Sequence, residues 1–180
     1  TAACGVGGHP LNNEIQKLVD VTVSHSSDTV TIRVAAEGTE GWFGIQDISL
    51  ITAVSHPSPP APPSPPGNWE PEPVYEDRWP GATGWSGTSL AVTTCSTLGT
   101  MLGGYQVLDA TSHVEKTFTG LPLHGSLRLR MTYTRVDRLS VGLVFVDGAE
   151  TWRYSFYYLE SGSTAACGVG GHPLNNEIQK

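Results

Sequence analysis

The sequence predicts an all-β chain: an antiparallel β-sandwich or jelly-roll bead with an extended polyproline II linker. Three observations carry that expectation. Short segments alternate apolar and polar residues with the period of two that half-buried strands require. Turn residues separate them at regular spacing, and helical periodicity is absent over any useful length. Among them lies His56–Gly67, HPSPPAPPSPPG, a proline density that neither a helix nor a central strand tolerates.

The elements follow in order. Leu18–His25 (LVDVTVSH) puts Val19, Val21 and Val23 on one face. Asp28 marks the turn into Thr29–Val34 (TVTIRV), which alternates likewise, and Phe43–Ile51 (FGIQDISLI) reads as a third strand. The proline segment then extends at roughly 3.1 Å per residue and is stiff over several residues, which suits it to spacing domains apart. Beyond it, Gly104–Leu108, Val114–Phe118, Ser126–Tyr133, Val141–Val146 and Thr151–Leu159 read as strands. Asp147-Gly148 is a hairpin turn signal between the last two.

The chain also repeats itself. Thr1–Lys17, TAACGVGGHPLNNEIQK, recurs unchanged as Thr164–Lys180, a period of 163 residues. A unit of that length is a whole domain, so the pattern points to a tandem array of beads. An engineered duplication is the alternative. On the array reading, residues 1–54 are the C-terminal strands of one unit and residues 55–68 are the linker. Residues 69–180 are then the N-terminal part of the next unit, and each sheet is completed by a neighbour through an open edge.

Composition narrows the function. The 180 residues carry a net charge of −7, with only 15% charged. An acidic, lysine-poor surface argues against nucleic acid and anionic membranes as partners. No apolar run reaches the length of a membrane span. The three cysteines are Cys4, Cys95 and Cys167, of which Cys4 and Cys167 are one position in two copies. Each unit therefore owns two, which suggests one disulfide per unit, Cys95 with Cys167, in a secreted chain. Two buried thiols are the alternative.

Read from Trp79 to Lys180 and on through Leu18 to Ala53, the unit carries a series of short motifs. They are Leu102-Gly103-Gly104, Lys116-Thr117-Phe118, Leu121-Pro122-Leu123-His124 and Val146-Asp147-Gly148. Cys167-Gly168, Asn176-Glu177, Ser24-His25-Ser26-Ser27 and Trp42-Phe43-Gly44-Ile45-Gln46-Asp47 follow. In that order the unit resembles a secreted β-sandwich domain of ciliate and green-algal surface proteins. The family's Asp-Ser-Trp-Asp element is reduced here to Asp137-Arg138-Leu139-Ser140, which weakens any cation site there. The Ser-Pro-Pro run resembles hydroxyproline-rich segments of algal wall and flagellar-coat glycoproteins. That resemblance implies hydroxylation and O-glycosylation at Pro59, Pro60, Pro62, Pro63, Pro65 and Pro66, with Ser58 and Ser64 as further acceptors.

Candidate chemistry is sparse. His9 and its copy His172, with His25, His56, His113 and His124, lack metal-ligand spacing and read as hydrogen-bonded turn or strand-end residues. There is no nucleophile elbow, and Gly5–Gly8 lacks what a phosphate loop needs. Asp47, Asp137, Asp147 and Glu177 (the copy of Glu14), with Glu40, fall near strand ends where loop oxygens gather Ca²⁺. No cofactor is required. Trp42 and Trp152 read as core, while Trp69, Trp79 and Trp85 form an arm able to dock on a neighbouring bead. These features describe a non-enzymatic, extracellular, structural repeat. Its partners are further copies of itself, head to tail in a filament, and O-linked glycans. A calcium-assisted carbohydrate-binding module repeated for avidity is the alternative.

Overall fold

The computed structural model describes residues 14–53, 72–95 and 98–156. Among them there is no α-helix, and the strands form two antiparallel sheets. Before the proline segment come β1 (Ile15–Ser24), β2 (Thr29–Glu37) and β3 (Trp42–Ala53). After it come β4 (Tyr75–Asp77), β5 (Ser86–Gly87), β6 (Val92–Cys95), β7 (Gly99–Gly103) and β8 (His113–Thr119). The chain closes with β9 (Ser126–Val136), β10 (Val141–Val146) and β11 (Ala149–Ser155). The first sheet runs β1-β9-β3-β7-β6 with β4 also on β3, and the second runs β11-β10-β2-β8-β5.

Alternation builds the core. In β9, Leu127, Leu129, Met131 and Tyr133 are buried, while Arg128, Arg130 and Thr132 between them are only half-buried. From the second sheet, Ile32 and Val34 of β2, Val114 and Phe118 of β8 and Val144 of β10 join the same cluster. Each such side chain, fully buried, contributes about 1.5–3 kcal/mol, so this shared face is what holds the sheets together. Tyr133 sits at its centre, stacked on Phe43 with centroids 5.4 Å apart. Its hydroxyl donates to Ala35 O at 3.1 Å, and burial pushes the phenol pKa well up.

The strands on the two sides of the proline segment interleave. β1 and β3 flank β9, and β2 lies between β8 and β10. Leu50 of β3 pairs with Tyr75 of β4, so the chain leaves and re-enters the same sheet at adjacent positions. This differs from the expected division of 1–54 and 69–180 between two beads. The physical reason is that β1–β3 and β8–β10 bring complementary apolar faces on one chain, at a local concentration that separate beads cannot match. Among the described residues, strands from both sides of the proline segment build both sheets. The 163-residue period and the linker itself fall outside the described residues.

Two local expectations also change. Gly104–Leu108 is a turn rather than a strand, because Gly103 and Gly104 both take positive φ (93° and 97°) and swing the chain away after β7. The short strands β4, β5 and β6 carry too few residues for periodicity to reveal. β3 holds a bulge between Gln46 and Ser49, with Asp47 at φ 50°. It re-aims the strand's outer edge, which pairs with β7 at Gly44 and Ile45 and with β4 from Ile48 to Leu50.

Candidate functional site

Three loops meet at the pole of the sandwich where β1, β3, β8 and β10 end. Ser24-His25-Ser26-Ser27 follows β1, Leu121-Pro122-Leu123-His124 lies between β8 and β9, and Asp147-Gly148 turns β10 into β11. Their side chains form one hydrogen-bonded series. His124 Nδ1 lies 2.6 Å from Pro122 O, and His124 Nε2 lies 2.7 Å from His25 Nδ1. His25 Nε2 lies 3.1 Å from Asp147 Oδ2, and Asp147 Oδ1 accepts the Thr31 N–H at 2.8 Å. Asp147 holds φ 48°, the left-handed position that its own turn requires.

Pro122 O and the Asp147 carboxylate accept at the two ends of this series, and the donor and acceptor roles of the ring nitrogens between them follow from the tautomers. All four ring nitrogens are committed, and the His25 and His124 side chains are almost wholly buried. The arrangement clamps three loops together.

A second polar centre lies under the tryptophans. Asp77 Oδ2 accepts Trp85 Nε1–H at 2.8 Å and Lys116 Nζ at 2.7 Å. Trp85 is 7% exposed, stands edge-on to Phe118 and belongs to the main core. Its indole is spent on its own bead rather than on a neighbour, which corrects the docking role expected for it. Its polar N–H needed a buried acceptor, and Asp77 supplies one within the same chain. Trp79 is half-buried, 6.2 Å from Trp85, and packs on that core. Trp69 lies outside the described residues.

The candidate calcium acids do not converge. Asp47 sits on the β3 bulge, Asp137 in the β9–β10 turn and Asp147 in the β10–β11 turn. The last two lie at opposite ends of β10, whose six residues span about 20 Å. Among the described residues no three His, Cys, Asp or Glu side chains gather as a metal site. All three aspartates instead hold positive φ, where a short polar side chain suits the backbone. Glu177 lies outside the described residues, but its copy Glu14 is buried beside β1.

Cys95 is fully buried beside Met101 and Val136 and is disulfide-bonded. Its partner lies outside the described residues, as do Cys4 and Cys167. The same holds for Ser58, Ser64 and Pro59, Pro60, Pro62, Pro63, Pro65 and Pro66. On the sheet surfaces, Asp20 is gripped by Arg128 at 2.7 Å through both Nε and Nη2, which holds its carboxyl below the usual range. Glu37 and Glu150 share Arg153, and its hydrogen bonds hold both carboxyls down.

Sequence reasoning placed His25 and His124 as hydrogen-bonded strand-end residues but did not join them. The available signal was that Ser-His-Ser-Ser, Leu-Pro-x-His and Val-Asp-Gly each stand at a strand end. The Asp77–Lys116–Trp85 centre left no such signal, because Asp77 and Trp85 sit in a three-residue strand and an irregular segment, far in sequence from Lys116 of β8. No protein-family model, curated protein or solved structure matches the chain.

Proposed function

We propose that the chain is a repeat unit of an extracellular fibre or surface glycoprotein. Beads join head to tail through β-strand complementation, and a glycosylated polyproline strut links each to the next. The observation that carries this reading is the unchanged recurrence of seventeen residues at a domain-length period, with Glu14–Lys17 of the first copy built into the sandwich.

Other features support it. The Cys95 disulfide suits an oxidising compartment. The polar centres at His25, Asp77 and Asp20 spend their groups on holding strands and loops together. The role is mechanical rather than catalytic, and its partners are further units and O-linked glycans. Cryo-electron microscopy of the native material tests it. The expected result is a filament with one bead per rise and density beyond the side chains along 57–66. Isolated beads with bare prolines would overturn it.

A further inference from the structure

The end of the first seventeen-residue copy occupies a defined slot. Ile15, Gln16 and Lys17 pair with Arg135, Thr134 and Tyr133 of β9. Ile15 is 3% exposed, and Gln16 Nε2 donates to Gln46 Oε1 at 2.8 Å. Lys17 Nζ lies 4.6 Å above the Tyr154 ring. These side chains recur unchanged as Ile178, Gln179 and Lys180. One slot on β9 therefore has two chemically identical claimants in this sequence. Cys95 faces the same double choice, since Cys4 and Cys167 are the equivalent positions of the two copies.

We propose that Thr164–Lys180 of one copy of this chain docks on β9 of another copy, in the register held here by Glu14–Lys17, and that Cys167 takes over the bond to Cys95. This rests on the fibre reading and names the segment that joins one bead to the next. The slot is already filled by the chain's own Ile15–Lys17, so the incoming segment is a competitor, not a missing part. Only the first rungs of β1 must open, because Leu18–Ser24 keep their own pairing with β9. β1 is an edge strand, so its terminal rungs open without disturbing the rest of the sheet, at the cost of exposing Ile15 until the incoming Ile178 takes its place. The incoming residues restore the same pairing that the outgoing ones give up, as in any exchange of an identical element.

The covalent step balances without an outside oxidant. The Cys167 thiolate attacks the Cys95 sulfur of a Cys95–Cys4 disulfide, the new S–S bond forms, and Cys4 leaves as a thiolate.

The experiment mixes isotope-labelled and unlabelled full chains under oxidising conditions and maps the Cys95 bond after trypsin. The Cys95 peptide, Trp79–Lys116, is joined either to Thr1–Lys17 or to Tyr154–Lys180, which differ in mass. The expected product is a mixed-label dimer joining Trp79–Lys116 to Tyr154–Lys180. It disappears in C167S and increases in C4S. Ile178→Asp changes only the second copy and leaves Ile15 and its pairing with β9 unaltered. It should lower the dimer fraction about tenfold or more, because the aspartate would enter an apolar site. Cys95 bonded only within its own chain, or dimers indifferent to I178D, would overturn the exchange. A filament seen without that bridge sinks this inference alone, whereas absence of any filament sinks the fibre reading itself.

Discussion

The two poles of the sandwich are tied by different means. At the pole where β1, β8 and β10 end, loops are joined through side chains, along the series from Pro122 through His124 and His25 to Asp147. At the opposite pole, the β2–β3 and β9–β10 loops meet through a close approach of their backbones. Gly41, at φ 88°, packs so close to Leu139 that a Cβ would run into its backbone nitrogen. The β9–β10 loop is also tied to the chain just after β11, where Phe156 N–H donates to Ser140 O at 2.8 Å. The ion pair between the β2–β3 and β9–β10 loops, Arg138 with Glu40, is exposed. Glycine tolerates no side chain at such an approach, while an imidazole pair needs two loops at a set distance. The first pole should yield to loss of hydrogen-bonding groups, and the second to added atoms.

Four measurements sharpen or break that contrast. Gly41→Ala should cost the most, about 2–4 kcal/mol in urea unfolding, since it combines an unfavourable φ with a backbone clash. A loss below about 1 kcal/mol, within the range of an ordinary glycine substitution, would mean the backbone approach is not what ties that pole. His124→Ala comes next, at about 1–3 kcal/mol, because it strands a buried His25 nitrogen and Pro122 O. H124A and D147A combined should lose less than the sum of the two, as members of one series. Strict additivity would break the idea of a single clamp.

The third measurement concerns acid. The Ser112 hydroxyl, and then the Thr111 N–H, hold the Asp109 carboxyl below its ordinary range. A depressed folded pKa contributes stability that is present above the unfolded value, about 3.9, and is lost as pH falls through the folded one. Urea titrations from about pH 5 to 2 should therefore show wild type losing more stability than D109N. Parallel curves would refute this. Because Asp109 lies at the surface, solvent screening keeps the difference small. Glu40→Gln should do least, at about 0.5 kcal/mol or under, and only at low salt, since its pair with Arg138 is solvent-exposed.

Much of the fold was legible because alternation is a local property. Val19, Leu127, Leu129 and Met131 advertise a buried face within a few residues of chain, and Asp147-Gly148 advertises its hairpin. β4 to β6 advertise nothing, since two to four residues between prolines and glycines have no period. Trp85 illustrates the limit at the candidate site. Its sequence surroundings suggest an exposed arm, yet Asp77 and Lys116 (39 residues apart) combine with Phe118 to bury it.

The sequence alone determined the strand content, the duplicated segment and which face of each long strand is apolar. These depend on residue type and spacing along the chain. Only the tertiary structure decided that β1–β3 and β4–β11 form one sandwich, that two histidines 99 positions apart meet at one pole, and that the acidic turns stay separate. Those outcomes depend on which faces meet. That choice is made by apolar burial between segments far apart in the chain, where local pattern carries no information.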